Sequence, residues 1–179
     1  PGTLSKTVTK DENWKNGDGK SGTIEEFKDL QGRVVLKRAF NTGEMAHSTY
    51  YVYDDLDNLR YVLPPAVNDS APDALSSFAE IDAVFNQFIY AYRYDGRKRV
   101  IKKKIPGKGW EDMVYNKLDQ LVLSRDAEQR DKGKWVFNKY DALGRAVITG
   151  LLSSTADQVI WQPLIDAQST LWEIRNNDN

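Results

Sequence analysis

A single histidine, His47, bounds what this chain can do by acid–base or metal chemistry. A two-histidine metal site and an HExxH motif cannot be assembled from one ring, and a Ser-His-Asp arrangement would rest on it entirely. His47 lies in the polar connection that begins Asn41-Thr42-Gly43-Glu44-Met45-Ala46 and reads as an ordinary surface histidine. No Gly-x-Ser-x-Gly elbow, P-loop or Gly-x-Gly-x-x-Gly turn occurs. With no cysteine there is no thiol nucleophile, no disulfide and no thiolate-bound zinc. The stretch from Asn16 to Glu26 has the faint outline of a calcium loop. If Asn16 and Asp18 are the first ligands, Lys20 falls on the next, where a cation repels calcium. Aligning Gly22 on the invariant glycine instead loses the acidic ligands, so the stretch reads as a flexible loop. No metal and no cofactor is expected.

Carboxylates are plentiful, and two of them suitably spaced can hydrolyse a glycoside. Yet Asp29, Asp54, Asp95 and Asp141 recur with a period, and one active site would not repeat. They read as turn-formers. The tryptophans (Trp14, Trp110, Trp135, Trp161 and Trp172) could stack on sugar rings, but Trp110 and Trp135 precede successive turns by similar distances. A structural role fits them better.

The elements behind this periodicity are hairpins. Five segments run from an extended stretch through Asp or Asn, two further residues, a Gly-like position and a polar residue into aliphatics. They are Phe27-Lys28-Asp29-Leu30-Gln31-Gly32-Arg33, Tyr53-Asp54-Asp55-Leu56-Asp57-Asn58, Tyr94-Asp95-Gly96-Arg97-Lys98-Arg99, Tyr115-Asn116-Lys117-Leu118-Asp119-Gln120 and Tyr140-Asp141-Ala142-Leu143-Gly144-Arg145. Successive Asp/Asn positions lie 25, 41, 21 and 25 residues apart, the long interval holding an insertion. Alternating side chains before the turn, such as Tyr51 and Tyr53 against Tyr50 and Val52, predict strands. Asp or Asn at the head of a four-residue turn accepts from backbone N–H groups two residues on. Gly at the fourth position suits a type I turn closed by a left-handed residue. Turn tips are expected at Leu30-Gln31, Asp55-Leu56, Gly96-Arg97, Lys117-Leu118 and Ala142-Leu143. Lys98, a poor left-handed residue, is expected to mark a different turn.

Between the second and third hairpins the period changes. Leu63-Pro64-Pro65 ends a strand. Ser70-Ala71-Pro72-Asp73 has the form of a capping box, and Phe78, Ile81, Phe85 and Phe88 follow on one helical stripe, predicting a helix over 71–88 that packs on the sheet. A C-terminal helix near 155–174 is predicted from Leu164, Ala167, Leu171 and Ile174, with Pro163 kinking or starting it. The organisation expected is one repeat block over 1–179. It comprises a polar leader (1–22), two hairpins (23–63), a helical insertion (70–90), three hairpins (91–152) and a C-terminal helical segment (153–179). The fold class is mainly β, a β-rich α+β arrangement with an antiparallel sheet and about two helices.

The 179 residues are 40% hydrophobic and 28% charged, with net charge −1, which argues against a nucleic-acid partner. The one basic run, Lys102-Lys103-Lys104, reads as a solvated strand surface. No apolar run approaches a membrane span, so no membrane insertion is expected. Pro1-Gly2-Thr3-Leu4 is no signal peptide, and the chain reads as a piece of something longer.

These segments resemble the YD repeat, named for Tyr-Asp, of Rhs proteins, of shell-forming components of bacterial toxin complexes, and of teneurins. Tyr53-Asp54, Tyr94-Asp95, Tyr140-Asp141-Ala142-Leu143-Gly144-Arg145 and the degenerate Asp29-Leu30-Gln31-Gly32-Arg33 carry the match, which covers about 25–152. Lys28 and Asn116 depart from the Tyr-Asp pair. Asp57, Lys98 and Asp119 stand where the family has Gly, and Asn58 and Gln120 where it has Arg. In style the chain is similar to long YD-repeat proteins of Bacteroides-like bacteria.

The resemblance implies hairpins paired into a long spiralling sheet, a bacterial surface or secreted location, and an architectural rather than catalytic role. Neighbouring repeats of the same polypeptide would be the partners, with a glycan or a toxin segment of the parent as further ones. The alternative is a carbohydrate- or ligand-binding module of a cell-surface protein. Exposed coplanar Trp and Tyr beside a groove would mark it. Position four of the turn gives a test: Gly32 and Gly144 should have positive φ, shared by Asp57 and Asp119. Gly144→Ala is expected to lower stability by about 1 kcal/mol in urea denaturation.

Overall fold

A computed structural model describes residues 3–42, 45–70 and 72–173. The fold is mainly β, an open antiparallel sheet whose eleven strands are laid down in chain order. Four short helices and a 3-10 turn join them among the described residues. The chain divides into two compact units, Pro1–Tyr92 and Arg93–Asn179.

In the first unit, β1 (Ser5–Lys10), β2 (Thr23–Lys28), β3 (Val34–Phe40), β4 (Ala46–Tyr53) and β5 (Leu59–Leu63) each pair with the next, and β5 pairs with the start of β6 (Tyr90–Tyr94). His47 lies on β4 rather than in the connection before it. It is half-buried, with Nε2 2.9 Å from Asn41 Nδ2. The polar leader supplies one strand, β1, exposed along its whole length. In the stretch read as a flexible loop, Asp18 accepts from the Lys15 backbone N–H at 2.7 Å.

The single helix expected over 71–88 is replaced by three short pieces: α1 (Pro65–Ser70), a 3-10 turn (Pro72–Leu75) and α2 (Ala83–Phe88). Ala71 itself lies outside the described residues. Pro65 occupies the first turn of α1, where a missing N–H costs nothing. Pro72 cannot donate to the Asn68 carbonyl, so α1 stops ahead of it. Asp82 is extended (φ −69°, ψ 151°) and spends its carboxylate on the Ala79 N–H at 2.7 Å, holding a turn where the stripe required helix. Ile81 is accordingly 89% exposed, against the expected packing role, while Phe85 is wholly buried and Phe78 stacks on it at 6.0 Å. The core of this unit gathers Leu63, Val67, Phe85, Ile89 and Ala91.

In the second unit, β7 (Val100–Ile105), β8 (Gly109–Tyr115), β9 (Leu121–Arg125), β10 (Lys134–Tyr140) and β11 (Ala146–Ser153) pair in succession. Their apolar face and α4 (Gln158–Asp166) enclose Val114, Leu123, Trp135 and Ile165. This helix is shorter than expected. Ser154 is held in extended chain by the Gly133 carbonyl at 2.9 Å and Ala156 by the Trp135 indole at 3.2 Å, so the helix begins only after Asp157. Pro163 sits inside it, neither starting nor ending it. Ile165 and the partly buried Trp161 face the core and Leu164 is exposed, so the stripe expected through Leu164 and Ala167 is off by one residue; Ile174 lies outside the described residues. The Gln162 side chain fixes the helix to β8 by accepting from the Tyr115 N–H (3.2 Å) and donating to the Tyr115 carbonyl (2.7 Å). A short helix not anticipated, α3 (Ala127–Asp131), opens on a reciprocal capping box between Asp126 and Gln129.

The lysine run is a solvated surface only in part, with the Lys102 and Lys103 side chains 40% and 36% exposed. In the β7–β8 register Lys102 faces Asp112 and Lys103 faces Glu111, each 3.0 Å from its carboxylate, and Lys104 is 1% exposed. Asp112 is itself buried. Its Oδ2 accepts from Arg125 Nε (2.9 Å) and Arg130 Nη2 (2.8 Å), while Lys102 Nζ meets Oδ1 as an ion contact outside hydrogen-bonding direction. Buried Arg125 lies over the Trp135 ring at 4.3 Å and also pairs with Asp157. Removing the carboxylate leaves buried Arg125 with Asp157 as its remaining anion, beside the part-exposed Arg130 and Lys102. Asp112→Ala is therefore expected to cost about 3 kcal/mol. The joint replacement Asp112→Leu with Arg125→Met should recover much of that in urea denaturation.

Candidate functional site

The repeated residues assemble at the turns, and all five turns share one construction. The head residue's carbonyl accepts from the N–H of the fourth residue, and its own N–H donates to the carbonyl of the fifth. For Asp29 these bonds run to Gly32 and Arg33 at 3.0 Å each, and the same pair recurs at Asp54, Asp95, Asn116 and Asp141. The side-chain oxygen then accepts two backbone N–H groups. Asp29 Oδ1 takes those of Gln31 and Arg33, Asp54 those of Leu56 and Asn58, and Asp95 those of Arg97 and Arg99. Asn116 takes those of Leu118 and Gln120, and Asp141 those of Leu143 and Arg145, all at 2.9–3.0 Å. The fourth residue is left-handed in every turn: Gly32 (φ 82°), Asp57 (65°), Lys98 (61°), Asp119 (61°) and Gly144 (77°). Lys98 thus belongs to the same turn as the others, contrary to expectation, because Asp95 fixes the backbone whatever side chain follows.

The fifth residue completes the turn. Arg33, Arg99 and Arg145 donate Nε to the second carboxylate oxygen of Asp29, Asp95 and Asp141 at 2.6–2.7 Å. Asn58 does the same for Asp54 through Nδ2. In the neutral turn the polarity reverses, and Asn116 donates to Gln120 Oε1 at 2.7 Å.

The tyrosines of the motif act between hairpins. Tyr53 donates its hydroxyl to the Val34 carbonyl (3.0 Å), Tyr115 to Val100 (3.0 Å) and Tyr140 to Leu121 (2.8 Å). Each acceptor is the residue directly after the fifth turn position of the preceding hairpin. Arg33 and Arg99 lie over the rings of Tyr53 and Tyr115 at 5.0 Å. Burial pushes all three phenols above their ordinary range. Tyr94 closes its strand just ahead of Asp95. This stitching escaped the sequence reading, since it depends on which strands are neighbours.

The second unit also holds a cavity of about 680 Å³ between β9–β11 and the segment from α4 to Glu173. Phe137, Leu152, Trp161, Ile165 and Trp172 line it. The Trp161 indole N–H is buried there without an acceptor. Glu173 ties the segment down, with its N–H on the Tyr140 carbonyl at 2.7 Å and its carboxylate on Lys139 at 2.7 Å.

No family model and no curated protein matches the chain. Solved structures do resemble it in fold. A chain in the crystal structure of TcdB2-TccC3-Cdc42 superposes with a TM-score of 0.54 at 12% identity over 73% of this chain. A chain in the Photorhabdus luminescens Tc holotoxin pore, carrying a TccC3 mutation, gives 0.54 at 12% over 75%. This chain spans 6% of the length of each. At that identity the likeness is one of fold alone.

The turn bonds carry a pH dependence. Backbone N–H groups of Asn58 and Arg145 hold Asp54 and Asp141 below the ordinary carboxylate range. Burial pushes Asp29 and Asp95 upward, but hydrogen bonds from Arg33 and Arg99 more than offset it, and both end low. A carboxyl lowered by folding adds stability above its unfolded value, and that contribution is lost as pH falls through the folded one. The urea midpoint should therefore stay level from about pH 7 to 5 and fall below about pH 4. Asp95→Asn, which copies the turn at Asn116, should make that fall shallower.

Proposed function

We propose that this chain is an architectural segment, part of the repeat scaffold or shell of a larger Rhs/YD-repeat protein at the bacterial surface or secreted from it. Its partners in this reading are neighbouring hairpins of the same polypeptide, and it carries no catalysis of its own. One observation supports this above the rest: the acidic residues that could do chemistry recur with the hairpin period and are engaged within their own turns. The only histidine lies on β4 with its ring nitrogen against the Asn41 side chain. The fold likeness to chains of Tc toxin structures agrees with a scaffold, and no helix among the described residues is long and apolar enough to cross a membrane.

The ends of the sheet fit the same reading. Among the described residues, β1 and β11 each pair with a strand on one side only. Unpaired N–H and C=O groups along such an edge recruit further strands. A second reading, a ligand-binding module, has the cavity beneath α4 in its favour. Its volume lies in the range of about 300–1,000 Å³ typical of small-molecule sites.

Sedimentation at rising concentration should show association through sheet edges, with no turnover of glycosidase, peptidase or nuclease substrates. Reproducible turnover abolished by changing one carboxylate would overturn the proposal. Saturable binding of a defined sugar, lost in Trp161→Phe, would favour the second reading.

A further inference from the structure

The five turns are of two kinds, and the kinds alternate. The first, third and fifth end in arginine: Arg33, Arg99 and Arg145. The second and fourth place an acid in the left-handed position, Asp57 and Asp119, followed by an amide, Asn58 and Gln120. Wherever the arginine kind precedes the acid kind inside one unit, the two are clamped together. Arg33 pairs with Asp57 across the hairpins. Arg99 Nη1 and Arg97 Nη2 reach Asp119 at 2.8 and 2.7 Å. Each guanidinium also covers the next hairpin's tyrosine ring, whose hydroxyl bonds to the carbonyl one residue beyond the arginine.

The junction from the fourth turn to the fifth is different. There the Gln120 amide lies 3.3 Å from where a Cβ on Gly144 would stand, so any side chain there would press the amide back by a few tenths of an ångström. Such a junction accommodates glycine and needs no charge.

Arg145 makes half of the clamp. It grips its own Asp141 at 2.7 Å, as Arg33 and Arg99 grip theirs. Its side chain is nevertheless 72% exposed, against 28% for Arg33 and 15% for Arg99, which have a following turn to meet. The adjoining β11 leaves Val147, Ile148 and Leu151 exposed.

We infer that the outer edge of β11 selects its neighbour. It takes a hairpin with tyrosine ahead of the turn and an acid in the left-handed position, and disfavours one with glycine or lysine there. The inference rests on the architectural reading and adds to it a rule of partner choice. The incoming tyrosine would bond to the Ala146 carbonyl, the counterpart of Val34 and Val100. The guanidinium of Arg145 would cover its ring and meet the acid. Lysine in that place would set two cations against each other.

The test uses the full chain and a 109–125 peptide, closed into a hairpin by a disulfide between cysteines added at its ends. This peptide carries Tyr115 and Asp119. Binding is read by titration calorimetry and by shifts of the β11 amide resonances. The wild-type peptide should bind about fivefold more tightly than its Asp119→Gly form. Glycine favours the left-handed turn, so lost preorganisation cannot account for the weaker partner. The preference should vanish with an Arg145→Gln chain, which keeps a side chain able to bond to Asp141, and should shrink at high salt. Equal binding of both peptides at β11 would defeat the selection rule while leaving edge pairing intact. A preference that survives in Arg145→Gln would defeat it too. If neither peptide reaches β11, the edge-pairing reading fails and takes this inference with it.

Discussion

At the head of each turn one side-chain oxygen accepts two backbone N–H groups that the hairpin bend would otherwise leave without a partner. The remaining features of the hairpin follow from that bond pattern. It holds the fourth residue left-handed, and the strand ladder slips by one residue just ahead of the head residue in four turns, at Phe27/Lys28, Val52/Tyr53, Val114/Tyr115 and Lys139/Tyr140. That slip fixes which residue of each strand lies beside the preceding hairpin. Tyrosine occupies that position in three of these turns and reaches the carbonyl across from it. Asn116 separates the two ingredients, since its neutral oxygen makes the same pair of backbone bonds as the carboxylates. Oxygen builds the turn, and charge adds the arginine.

Much of this was legible in the residues alone. Period, tips and the left-handed role of Asp57 and Asp119 could be read because they depend on contacts within about five residues. Lys98 misled because left-handed preference was inferred from the residue itself, whereas Asp95 imposes it. The insertion was harder. The stripe of Phe78, Ile81, Phe85 and Phe88 is real as a pattern, but Asp82 spends its carboxylate on a turn and cuts the helix to six residues. The capping box of α3, Asp126 with Gln129, was readable and was passed over.

The buried charges show where a one-dimensional view stops. Three consecutive lysines look like a wet surface until β8 is laid beside β7, when two of them oppose Glu111 and Asp112. The same holds for the cross-hairpin arginines. Their alternation with left-handed acids is present in the sequence, but it acquires meaning only once the turns are known to be neighbours.

Strand order that equals chain order bears on how the protein reaches this fold. Apart from β1 with β2 and β5 with β6, which are joined by longer segments, each pair closes a short loop, so the entropy lost in forming it is small. Antiparallel sheets usually fold slowly because their partners are far apart in sequence. Here each strand pairs with its neighbours in sequence, and a hairpin can register as soon as it emerges, before the rest of the polypeptide has been made.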